Sequence, residues 1–161
     1  MKTRSQVLSA TALLAPGLAV YLFDRPADRI YFVPDWWQTG ADNAPFFGPL
    51  GAGLPSFVHV LCFTLITAAI LAPCRFRIMS ICLSWFVIDS LFELAQHDTV
   101  AVRIAEFVPA WFQNFILLEN TRAYLLAGTF DPLDMLSIAA GSLVAYVMLH
   151  IFNSKEYRHD N

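Results

Sequence analysis

The chain has 161 residues, 57% of them hydrophobic and only 14% charged, with a net charge of -3 and a mean hydropathy of +0.54. An ordinary soluble domain carries about 25% charged residues, so this composition argues against a soluble globular class and excludes intrinsic disorder. Ten Lys and Arg against thirteen Asp and Glu, without a basic block, leave no electrostatic footprint for a nucleic-acid partner.

A membrane helix needs about 20 mostly apolar residues, and four stretches meet that length. Residues 6–23 follow a basic start at Lys2 and Arg4. They are read as a retained helix rather than a cleaved leader, because the run is long for a signal peptide and lacks a clean A-x-A site. Pro16-Gly17 is expected to kink or break it. Residues 30–55 hold Trp36, Trp37, Phe46 and Phe47 among prolines and glycines, so they are expected to form irregular chain at the headgroup level. Residues 57–73 are apolar apart from His59 and two threonines. A short joint at Arg75 and Arg77 leads into residues 78–97, which predicts an antiparallel hairpin. Asp89 and Glu93 interrupt this third run.

Between residues 100 and 118, Ile104, Phe107, Val108, Trp111, Phe112 and Phe115 recur at helical spacing opposite Arg103, Glu106 and Gln113, which predicts an interfacial amphipathic helix bent at Pro109. The fourth run, residues 133–152, opens with Asp131, Pro132 and Asp134, the pattern of an N-cap, an N1 proline and an N3 acid. Within it Ser137, Gly141 and Ala145 follow the small-x-x-x-small spacing that lets helices approach closely. The expected fold is all-α: an integral membrane bundle of four transmembrane helices, with an interfacial helix between the third and fourth, in a single domain over residues 1–161. Cys62, Cys74 and Cys82 lack C-x-x-C spacing and are read as reduced apolar residues. Lys2, Arg4, Arg75, Arg77, Lys155 and Arg158 fall in short segments on one side, which places both termini in the cytoplasm of a bacterial inner membrane.

With that orientation the polar residues sort by depth. His59 is expected just inside the outer end of the second span, with Glu93, Gln96 and His97 at the outer end of the third. Asp131 and Asp134 open the fourth on the same side. Asp89, Glu93 and Gln96 share one helical face. Asp89 then lies about 13 Å from its helix end, near the bilayer centre, where an ionised carboxylate costs about 2.5 to 3.5 kcal/mol. A ligand-binding cleft is therefore predicted from His59, Asp89, Glu93, Gln96, Asp131 and Asp134. Each residue also has a plain structural reading. Asp89 would bond a neighbouring Ser or backbone group, Glu93 would reach the interface, and His59 would pack between helices. Asp131 and Asp134 would cap a helix start, and His97 would complement a helix end.

The pattern Ser56-Phe-Val-His59, then Glu93-Leu-Ala-Gln96, then Asp131-Pro-Leu-Asp134 with Gly141, resembles the VanZ-like family of small polytopic membrane proteins over roughly residues 56–150. The type member of that family is associated with teicoplanin resistance, so the resemblance implies a role in the cell envelope rather than a particular reaction. Members often carry an Arg shortly before the paired acids and an Asn one turn after the second. Here those places hold Gly128-Thr-Phe130 and Ile138.

The leading expectation is a non-enzymatic protein whose outward polar cleft takes a lipid headgroup, a cell-wall precursor or a glycopeptide-type antibiotic. Its partners would be the bilayer and such a ligand, with a second copy or another membrane protein possible. No cofactor, metal or catalytic residue is assigned. Two alternatives compete. One is a metal-assisted membrane hydrolase or transferase, although neither H-E-x-x-H nor G-x-S-x-G is present. The other is proton or ion transport along the Asp89 and Glu93 stripe.

Overall fold

A computed structural model describes residues 2–24, 46–72, 75–115 and 118–157. The described residues form α1 (Lys2–Asp24), α2 (Leu50–Leu71), α3 (Arg75–Ala95), α4 (Asp98–Phe107), a 3-10 helix (Ala110–Asn114), α5 (Thr121–Ala127) and α6 (Pro132–Tyr157). No strand occurs among them. Four helices contain stretches long and apolar enough to cross a membrane: Gln6–Asp24, Leu50–Leu71, Arg77–Ala95 and Pro132–Asn153. The described residues are all-helical, as expected, with four helices of the length and apolarity that spans require. Trp36, Trp37, Cys74 and Arg158 lie outside the described residues.

The central element is α2, half of whose apolar window is buried against 22 to 28% for the other three. It is apolar all round, as a helix contacted on several sides must be. Side-chain pairs along its length give the packing directions. Cys62 donates to the Ala10 carbonyl and Gly17 faces Val58, so α1 and α2 run antiparallel. Gly53 meets Ser137, while Gly141 meets Phe57 and Val60, so α2 and α6 run parallel. Trp85 Nε1 donates to Thr67 Oγ1 at 2.9 Å, and Ser142 Oγ donates to the Cys82 carbonyl. These bonds set α3 antiparallel to both. The core runs through Val58, Leu61, Leu65, Ile78, Ala145 and Leu149.

Four details differ from the expectation. First, α2 begins at Leu50 instead of residue 57, and passes through Pro55. A proline forfeits one intrahelical bond, and packing against α1 and α6 on either side holds the helix together regardless. Phe46 to Pro49 form a turn before it, with Gly48 at φ 52°. The expectation of irregular headgroup-level chain otherwise falls on residues outside those described. Second, α1 runs through Pro16 as one helix, so the break offered as one reading of Pro16-Gly17 is absent. Third, α3 ends at Ala95, not residue 97. Fourth, the single amphipathic helix expected over residues 100–118 is two elements. Val108 and Pro109 are extended, with ψ 119° and 141°, because a residue before proline is driven out of the helical region and the ring supplies no N–H.

Small residues on α6 decide how close it comes to α2. A Cβ on Gly141 would stand 2.5 Å from both the Phe57 carbonyl oxygen and Val60 Cγ1, and a backbone atom cannot rotate away. Gly141→Ala should therefore destabilise the bundle by about 1 to 3 kcal/mol, outweighing the roughly 1 kcal/mol of helix propensity gained. Thermal unfolding of the purified variant in detergent reads this as a lower midpoint.

Candidate functional site

The start of α6 is built as its sequence predicts. Asp131 precedes the helix, and its Oδ1 accepts the Leu133 amide at 2.8 Å. Pro132 takes the first helical position, and Asp134 stands in the first turn. Exposed helix-start amides attract anions, and a further carboxylate arrives from α3. Glu93 Oε1 accepts the Asp131 backbone amide at 2.7 Å. Glu93 is only 6% exposed, and this bond gives its buried side chain a partner on another element. Gln96 Nε2 lies 3.5 Å from Glu93 Oε2 and from the Phe92 carbonyl, at the outer limit of a hydrogen bond. Its side chain packs where a Cβ on Gly128 would fall. Ser56, from α2, donates to Asp134 Oδ1 at 2.8 Å. Helices α2, α3 and α6 and the residues bordering them thus bring Ser56, Glu93, Gln96, Asp131 and Asp134 to one node, the outer one in the orientation expected from the sequence.

His59 and Asp89 form a second, deeper node. His59 Nδ1 lies 3.0 Å from Asp89 Oδ2, with Asp89 7% exposed and the imidazole 49% exposed. His59 is not near the outer end of its span. Because α2 starts at Leu50, the residue lies about 13 Å along the helix, at 1.5 Å per residue. Asp89, six residues before the end of α3 at Ala95, lies about 9 Å from that end instead of about 13 Å. The two corrections move the groups toward each other, to a level where a His and a carboxylate satisfy one another.

His97 follows the end of α3, its amide bonded to the Leu94 carbonyl. It precedes α4, makes no side-chain cap, and its carbonyl accepts the Val100 and Ala101 amides. Its ring lies near Thr99 and Phe130. Ser137, Gly141 and Ala145 lie on the α2 side or in the core: the first two meet α2 directly, and Ala145 is fully buried.

Asp24 escaped the sequence reading. Its carboxylate accepts the amides of Phe46 and Phe47 at 2.7 and 2.8 Å, tying the end of α1 to the turn that opens α2. Its only signal was an acid closing an apolar run. Ser56 appeared only as the first residue of a motif, and Trp85 with Thr67 not as a pair.

An open groove lies beside the outer node. It measures about 410 Å³ and runs between the outer halves of α2 and α6, lined by Leu50, Leu54, Phe57, Leu133 and Leu136, with Gly53 and Ser137 at its floor. Among the described residues, no three His, Cys, Asp or Glu side chains gather as a metal site. Comparison with family models, curated proteins and solved structures finds no match to this chain.

Three substitutions separate capping from cross-helix bonding. Asp131→Ala should cost about 1 kcal/mol through loss of the cap, read by unfolding in detergent. A double-mutant cycle of Ser56→Ala with Asp134→Ala should return a coupling of about 0.6 kcal/mol and no more than about 1.7, the range of interhelical bonds in membranes.

Proposed function

We propose that this chain is a VanZ-like, non-enzymatic protein of the bacterial cytoplasmic membrane, with both termini in the cytoplasm, that recognises an amphiphilic envelope ligand at its outer face. The observation carrying this reading is the gathering of Glu93, Asp131 and Asp134 with Ser56 and Gln96 at the start of α6, directly beside an apolar groove between α2 and α6. Carboxylates and a hydroxyl suit a headgroup, cell-wall precursor or glycopeptide-type antibiotic bearing ammonium or hydroxyl groups. The groove suits the attached apolar part. Helix α4 supports an interfacial placement for the segment that follows α3: Ala101 and Ala105 are buried, while Phe107, Trp111 and Phe115 are 84, 53 and 55% exposed. Exposed aromatics of this kind lie favourably at the headgroup boundary.

A deletion strain tests the reading through its tolerance of antibiotics directed at lipid-linked cell-wall precursors. Loss of the gene should lower tolerance several-fold. The wild-type chain should restore it, and the double variant Glu93→Gln, Asp134→Asn, present in the membrane at equal level, should not. Full restoration by the double variant would remove the outer node from the function.

A further inference from the structure

We propose that His59, held by Asp89, is the polar anchor of a second site, entered sideways from the acyl-chain region, for an uncharged lipid-soluble molecule bearing a phenol- or quinone-type ring. This site is separate from the outer node and does not depend on what that node binds.

One nitrogen of the imidazole is committed and the other is not. Nδ1 faces the buried Asp89 carboxylate at 3.0 Å, yet the ring is 49% exposed, and Nε2 has no partner among the described residues. A carboxylate behind one nitrogen orients the ring and sets what the other presents. With Asp89 ionised and accepting from Nδ1, a neutral His59 offers a lone pair at Nε2 to a hydroxyl. With the proton on Asp89, Nδ1 accepts and Nε2 donates to a carbonyl. The pair therefore serves both members of a hydroxyl and carbonyl couple.

Depth restricts what can arrive. His59 lies about 13 Å along α2 from its start, at a level where charged groups are costly. A phosphate, an ammonium headgroup or an ion is disfavoured there, whereas a ring dissolved among acyl chains already resides there. The surroundings suit a flat ring. The His59 and Phe63 centroids lie 4.4 Å apart, Phe63 and Trp85 5.1 Å, and His59 and Trp85 6.3 Å. Trp85 is fixed in place by its bond to Thr67. Aromatic rings prefer offset or edge-on contact with another ring.

A second copy of the chain is the rival occupant. Close helix contact in membranes relies on small residues. In this bundle Gly17, Gly53 and Gly141 are spent on contacts between α1, α2 and α6, while Phe63 and Trp85 border His59. The aromatic border favours a small ring over a helix.

The test places the full chain in nanodiscs, with Trp36, Trp37 and Trp111 replaced by Phe so that Trp85 is the sole reporter. The probe is a 1,4-naphthoquinone with an apolar tail, which quenches indole fluorescence on contact. Saturable quenching of Trp85 is expected. His59→Leu should weaken it by about tenfold or more, the loss of one buried hydrogen bond, and Asp89→Asn should weaken it less. Leu143→Ala, at a lipid-facing position of α6, should leave it unchanged. If His59→Leu does not fold, His59→Gln serves with the same readout and should also weaken binding. Non-saturable quenching, or equal affinity in the folded His59 variants, overturns the proposal. Disulfide-linked dimers of His59→Cys without quinone binding to the wild type assign the face to a second copy and overturn it as well.

Discussion

The bundle depends on the close approach of α2 and α6. Gly53 opposite Ser137 and Gly141 against the Phe57 backbone leave almost no freedom in the relative height of the two helices. Lipid offers no hydrophobic drive for helices to associate, so contact distance and hydrogen bonds set the geometry. Once that height is set, Ser56 stands opposite Asp134, and the start of α6 comes within reach of Glu93. The polar geometry follows from the apolar one.

The hydrogen bonds between helices are individually modest, but their placement has a clear logic. Several of the polar side chains taken into the bundle meet a group on another element. Trp85 meets Thr67, His59 meets Asp89, Glu93 meets the Asp131 amide, and Ser142 meets the Cys82 carbonyl. In hydrocarbon the alternative is an unsatisfied group. A wrong rotation of α3 would separate several of these pairs at once, so they discriminate between packings more than they add stability. Thr64, Ser90 and Gln6 keep buried polar atoms without a partner, a cost that the surrounding packing carries.

Much of this was legible in the sequence because long apolar runs announce long apolar helices. Four such runs stand out, and the cap formed by Asp131, Pro132 and Asp134 has a local signature. Depth was less legible. Starting the second run at residue 57 put His59 close to a helix end; the helix begins at Leu50 and passes through Pro55 because tertiary contacts outweigh one missing bond. Partner choice was not legible at all. Nothing local says that Glu93 bonds a backbone amide on α6 instead of lining an open cleft, or that Asp24 reaches Phe46 and Phe47. Those bonds join residues far apart in the chain.

The Asp24 contact has an evolutionary corollary. A single carboxylate at the end of α1 clasps the backbone of the turn that opens α2, so the described residues on either side of residues 25–45 stand close together. Loop closure costs only about 0.6 kcal/mol for each doubling of length. Insertions and deletions there would accumulate without shifting any span, making this stretch the natural place for relatives to diverge in length while the helices keep their register.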